Sequence, residues 1–258
     1  EWSNVALFNG QYARINSFWE NSELAATGTP SPEEAAILRP LVEEGLLPAS
    51  ILTDAAIMAP ASWTRERDRA EQVQLDRPNQ RRAAALLDEA GWTVGAGGLR
   101  RNAAGQTLRV EFLNDSPSFD RIINPFVENL RALGVDAVST RVDNAQRVNR
   151  ERSYDFDVTT HQFPMDYVPS AGLKQFFASQ SADNSSRNLM GLRSPAIDRL
   201  IEVVLAADTE DKVLHSTRAL DRALRAERFW VPQWYKAEHW TAYLDIYEHP
   251  DPLPPFSL

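Results

Sequence analysis

Cysteine is absent from all 258 residues. That excludes a disulfide framework, a thiolate metal site and a cysteine nucleophile, and it is compatible with periplasm and cytoplasm alike. Lysine is nearly absent as well: Lys174, Lys212 and Lys236 are the only three among 27 basic residues. The abundance of Arg and Ala reads as genomic base composition. No apolar run approaches the ~18 residues that a spanning helix needs. The opening Glu1-Trp2-Ser3-Asn4 is neither an initiator methionine nor a signal peptide, so the sequence is read as starting inside a mature protein. Positive charge is in deficit, with a net charge of -9. With no basic stripe interleaved with aromatics to offset it, that sign excludes nucleic acid as a partner.

Apolar and aromatic residues are present in quantity. The chain is 43% hydrophobic and carries 7 Trp, 11 Phe and 6 Tyr. So much aromatic surface must be hidden from water, which rules out disorder and leaves room for one large domain or two unequal ones.

Along the chain, residues 1–30 read as a short helix followed by an irregular packed segment. Ser31-Pro32-Glu33-Glu34 opens a helix, with Ser as N-cap, Pro at the first position and both acids on the positive dipole end. Residues 50–77 lack periodicity and read as a long surface loop. A helix over about 78–90, with Leu86 and Leu87 on one face, stops at Gly91. Glycines at 95, 97, 98 and 105 are turn chemistry around a short strand at 99–101. They precede strands, not helices, so they do not make a phosphate loop. Strand 108–113, a helix over 117–133 opened by Ser116-Pro117 and closed by Gly134, and strand 135–142 form a βαβ unit (108–142), expected to be right-handed. Pro125 predicts a kink in that helix. A short helix near 144–152, a third strand at 154–160, helices from Ser194-Pro195 and from Thr209, strand-like stretches at 230–235 and 239–244 and a Pro-rich tail complete the reading.

No catalytic constellation emerges. There is no G-x-S-x-G elbow and no H-E-x-x-H spacing, and His161, His215, His239 and His249 are scattered. No metal site and no cofactor is expected. Asp155 and Asp157 alternate with Tyr154 and Phe156, as on an edge or solvated face, and not as an acid/base pair. Trp230, Trp234, Tyr235 and Trp240 either pack between lobes or line a ligand groove.

The ordered set of motifs resembles the family 5 extracellular solute-binding proteins. Ala83 to Trp92 is similar to "A-x-x-L-L-x-x-A-G-W", and Leu130-Arg131-Ala132-Leu133-Gly134-Val135 to "L-x-x-L-G-I/V". Tyr154-Asp155-Phe156-Asp157 matches "Y-D-F-D", Asn188 to Asp198 matches "N-x-x-G-x-x-x-P-x-x-D", and Val231-Pro232-x-Trp234-Tyr235 resembles "I/V-P-x-x-Y". Phe8 to Tyr12, Ser17 to Ala25 and Arg121-Ile122-Ile123 look most like the branch serving microcin C-type peptide importers.

The resemblance implies an α/β fold: a periplasmic-binding-protein-like class II lobe, with a mixed sheet and flanking helices. Residues 1–229 would form the second lobe and 230–258 the hinge and return strands toward a first lobe absent from this chain. It implies a monomeric, non-enzymatic component of an ABC importer in the periplasm of a Gram-negative bacterium, passing oligopeptides or peptide-like solutes to permease subunits. The alternatives are a periplasmic hydrolase of peptidase type, or a family receptor for a nickel chelate or sugar. The site is expected at 161–169, beyond the C-terminal end of a strand, where ligand crevices form in α/β layers. By family position, Phe163 is the aromatic that stacks on a peptide, Asp166 the acid that pairs with its α-amine and Tyr167 its neighbour, with His161 preceding them. Asp166 is equally readable as a solvated loop acid or helix cap.

Overall fold

The computed structural model describes residues 2–56, 73–183, 187–238, 242, 244, 246 and 248. The elements are α1 (Trp2–Phe8), β1 (Ala13–Arg14), α2 (Pro32–Glu43), α3 (Arg77–Glu89), β2 (Thr93–Val94), β3 (Arg100–Arg101), β4 (Arg109–Asn114), α4 (Pro117–Ala132), β5 (Asp136–Arg141), α5 (Asn144–Arg152), β6 (Val158–Thr159), α6 (Gly172–Phe177), α7 (Pro195–Leu205), α8 (Glu210–Ala226) and β7 (Trp234–Tyr235).

Two hydrophobic cores result. The larger is helical. Leu38 and Leu41 of α2, Phe176 and Phe177 of α6, Ile197, Leu200 and Ile201 of α7, and Leu220 and Leu224 of α8 close on Phe18 and Trp19 from the irregular segment after β1. The smaller lies under α4, where Ile123 and Val127 meet Phe112 of β4 and Ala137 of β5. Here the βαβ reading holds: β4 and β5 pair in parallel over six residues, Arg109 with Asp136 through Asn114 with Arg141.

β6 joins the other edge of β4, also in parallel, giving the order β5-β4-β6. Among the described residues the parallel and antiparallel pairings therefore occupy separate sheets, not one mixed sheet. The antiparallel pairs are the ribbons β1–β7 and β2–β3.

Four helices end on a residue with positive φ whose successor's N–H reaches back to a carbonyl of the last turn, a Schellman closure. Gly45, Gly91 and Gly134 take this place after α2, α3 and α4. After α5 it is taken by Tyr154, with φ 55, where Tyr154 N–H donates to Glu151 and Asp155 N–H to Arg150. This corrects the strand expected over 154–160. The helix cap consumes its first residues, and only Val158–Thr159 remains as strand. A non-glycine in this conformation is strained. Tyr154 is retained because its hydroxyl donates to the carbonyls of Ala182 and Asn188 and its ring covers Gly191.

Other expectations shift in detail. Pro125 lies within α4, which runs on as a single helix. Leu87 packs on the smaller core, whereas Leu86 is exposed. Glu33 and Glu34 both lie in the first turn of α2, as expected, but Glu34 has a second role. It is buried against Arg222 of α8, 2.6 Å away, and Arg222 also donates to the carbonyls of Thr27 and Gly28. Deeper still, the Asp221 carboxylate accepts from Ser17 Oγ (2.9 Å), from the amides of Phe18 and Ala26 (3.0 Å each) and from Arg225. Burial pushes the Asp221 carboxyl upward, against the pull of Arg225 and those amides. These two ion pairs fix the segment 17–28 to α8. Much of the loop expected over 50–77, most of the stretch at 239–244 including Trp240, and the Pro-rich tail lie outside the described residues.

Candidate functional site

A cleft of about 2480 Å³ is bounded by residues of both cores. In a parallel sheet, ligand crevices form beyond the C-terminal strand ends where the chain order reverses. Here β4 sends its crossover to β5 on one side and receives β6 on the other, and Asp115, Thr160 and His161, just beyond the ends of β4 and β6, all line the cleft.

A polar knot sets the exit of β6. Arg147 of α5 bonds Asp115 (2.9 Å), Glu151 (2.8 Å) and the carbonyl of Thr160 (3.2 Å). The Thr159 hydroxyl adds a bond to the Leu113 carbonyl at 3.3 Å. With only two residues of ladder, β6 depends on these side chains to fix where His161 and Phe163 emerge.

Phe163 is half-buried at the centre of an aromatic floor. Its ring stacks on Phe177 at 5.9 Å and meets Phe18 edge-on at 5.3 Å, Trp230 at 6.5 Å and Phe176 at 6.1 Å. Phe18 in turn stacks on Trp230 at 4.2 Å. Elsewhere in the lining, Phe119 is stacked on Trp234 at 6.4 Å. Trp230 thus packs on the larger core and lines the cleft, while Trp234 lines it against Phe119.

His161 stands edge-on to Phe163 at 5.0 Å. Loss of solvation pushes its imidazole below the usual value, with Arg147 and Arg187 acting in the same direction and Glu151 opposing them. Tyr167 lines the cleft and donates to Glu23 Oε1 at 2.8 Å, which raises its phenol. Asp166 is exposed, is not among the lining residues, and accepts from Ser170 Oγ at 2.9 Å. Asp155 pairs with Arg150, and Asp157 accepts from the amide of Glu111, so the two acids serve different partners. Among the described residues no group of three His, Cys, Asp or Glu is arranged to hold a metal ion.

Three contributors escape a reading of the sequence. Phe18 sits in a segment without period, Asp115 follows a strand without belonging to any motif, and Arg147 shows only an i,i+4 relation to Glu151.

Residues 3–185 match the profile of the bacterial extracellular solute-binding proteins, family 5 middle region. The probable peptide-binding protein YejA of Agrobacterium fabrum is 36% identical over 99% of this chain and 40% of its own length. The uncharacterised YejA of Escherichia coli is 35% identical over 100% of this chain and 41% of its own. The chain therefore spans about two fifths of the length of these relatives. Among solved structures, the periplasmic oligopeptide-binding protein of Thermotoga maritima bound to mannohexaose superposes with a TM-score of 0.59 at 14% identity, over 92% of this chain and 39% of that one, a likeness of fold. On the family match and the relatives together, this chain belongs to the bacterial extracellular solute-binding proteins, family 5, a family of binding proteins and not of enzymes.

Proposed function

We propose that this chain is the greater part of one lobe, residues 1–229, and the returning strands, 230–258, of the substrate-binding component of an ABC importer. The component captures oligopeptides or peptide-like solutes in the periplasm as a monomer and hands them to permease subunits without chemistry. The observation that carries this reading is the size and lining of the cleft. Pockets for drug-sized molecules run to about 1,000 Å³, and a cleft of about 2480 Å³ floored by Phe163, Phe18 and Trp230 suits a longer, extended ligand. Such ligands are held by backbone hydrogen bonds and loosely filled side-chain pockets, and lobe closure presents them for release. The relative named as a probable peptide-binding protein agrees with it.

In this reading Phe163 stacks on the ligand, His161 and Tyr167 flank it, and Asp166, which lies outside the cleft lining, exchanges Ser170 for the peptide's α-amine. The test is thermal denaturation of the full-length protein with defined short peptides, with mannohexaose and a nickel chelate as comparators. Peptides raise the midpoint, Phe163→Ala diminishes the rise, and Asp166→Asn weakens free-amine peptides more than N-acetylated ones. Equal effects of Asp166→Asn on both remove the amine role.

A further inference from the structure

Two sequence motifs, Tyr154-Asp155-Phe156-Asp157 and Asn188 to Asp198, have no part in the site described above, yet they meet in space. The Tyr154 hydroxyl donates to the Asn188 carbonyl at 3.0 Å and to the Ala182 carbonyl, and its ring covers Gly191. Asn188 is fully buried. Its side-chain amide donates to the carbonyls of Ala178 (3.3 Å) and Leu192 (3.2 Å) and to Ser181 Oγ (3.2 Å), and its Oδ1 accepts from the Leu192 amide at 2.8 Å. The Ser181 hydroxyl donates to the same Ala178 carbonyl at 2.7 Å, and Asp198 of α7 accepts from the amide of Ser179 at 2.8 Å. Every bond of this brace has both partners among the described residues.

The bonds converge on the C-terminal end of α6, which Ala178 caps. Phe176 and Phe177, just before that cap, are two of the rings that pack on Phe163. Arg187, beside Asn188, lies over Phe176 at 5.1 Å. Tyr154 also begins the stretch that runs through β6 to Phe163, and its backbone is fixed at positive φ by the closure of α5. One phenol therefore ties the chain leading to Phe163 to the helix whose rings support it. A strained non-glycine persists where its surroundings over-determine it, and such residues cluster at ligand sites. A fully satisfied buried network of this kind rigidifies the groups that it holds, which is what a binding ring needs from its support.

We propose that Tyr154 is a positioning residue for ligand binding: through Asn188 and the end of α6 it holds Phe163 in the orientation that the bound solute meets, with its own hydroxyl turned to the protein and not to the solute. This rests on the peptide-binding reading above.

Calorimetric titration of the full-length protein with a pentapeptide carrying a central Phe tests it in a double-mutant cycle. Tyr154→Phe keeps the ring over Gly191 and removes the bonds to Asn188 and Ala182, and it is expected to weaken binding by about five- to tenfold. In a Phe163→Ala background the same change should cost less than about twofold, a non-additivity that a general loss of stability does not produce. Ser181→Ala, which opens the brace at its other end, should depend on Phe163 in the same way. Gly45→Ala is the control: it strains a positive φ at the end of α2, outside the cleft lining, and should lower the urea midpoint while leaving affinity within about twofold. An equal loss of affinity from Tyr154→Phe in both backgrounds, no loss in either, or a matching loss from Gly45→Ala overturns the positioning role and leaves the transport reading standing. A wild-type protein that binds no peptide sinks both.

Discussion

Asp221→Ala tests whether the cleft floor depends on a buried charge remote from the ligand. Asp221 is fully buried, and its carboxylate satisfies four donors at once: Ser17 Oγ, the amides of Phe18 and Ala26, and Arg225. Truncation takes the Asp221 carboxylate from the guanidinium of Arg225, itself 3% exposed, which keeps its bond to the Ala26 carbonyl, and leaves two amides and a hydroxyl without this acceptor. Breaking a buried pair from one side costs about 3–5 kcal/mol, most of it from the partner left behind. Asp221→Asn, which keeps one acceptor oxygen but no charge, should fall between that value and wild type. Equilibrium urea unfolding of the full-length protein, followed by tryptophan fluorescence, reads the loss, since Trp19 and Trp230 lie in or against this core. Because Phe18 is carried by the same segment, peptide affinity should fall along with stability. A loss below about 1 kcal/mol for Asp221→Ala would refute the claim that this ion pair holds the floor in place.

Two further outcomes follow from local geometry. His161 keeps an exposed edge, but partial loss of solvation with Arg147 and Arg187 nearby lowers its pKa, so between the folded value and the unfolded value near 6.5 the unfolded chain binds more protons. The associated stability is complete above pH 6.5 and is lost as the pH falls through the folded value. An NMR titration should place the His161 midpoint below 6.5, and a midpoint at or above it contradicts the direction set by its surroundings. At Gly134, φ is +86° and an added Cβ would sit 2.6 Å from the carbonyl oxygen of Gly98. Gly134→Ala should therefore cost about 2–4 kcal/mol through strain and overlap together. Gly91→Ala meets the same positive φ in open space and should cost only about 1 kcal/mol. Equal losses in urea unfolding would show that backbone overlap contributes nothing.

What the sequence discloses and what it hides divide along physical lines. Helices α4, α7 and α8 are legible because their apolar residues recur at helical spacing and Pro or Thr marks their starts. Gly91 and Gly134 announce helix ends because a residue without Cβ is cheap at positive φ. Tyr154 makes the same closure at the end of α5 and hides it, since its compensation comes from Ala182, Asn188 and Gly191, far along the chain. The pairs Glu34–Arg222 and Asp221–Arg225 belong to no motif, because their burial depends on α8 packing against α2 and the segment 17–28. At the candidate site, Phe163 is named from its family position, but its neighbour Phe18 is 145 positions away and Phe177 belongs to a helix without a recognisable start. Asp166 shows what a motif leaves open, since it gives the position of the acid but not the bond that its carboxylate accepts from Ser170.

The central claim, that this cleft captures peptides, is tested most directly by the thermal midpoint of the full-length protein against increasing concentrations of defined short peptides. A ligand that binds only the folded state stabilises it by about 2.7 kcal/mol at a hundred times Kd and about 4.1 kcal/mol at a thousand times. The midpoint should therefore climb with the logarithm of peptide concentration and stay fixed in mannohexaose or the nickel chelate. A midpoint that ignores the whole peptide panel, or that climbs only with a comparator, would contradict the account.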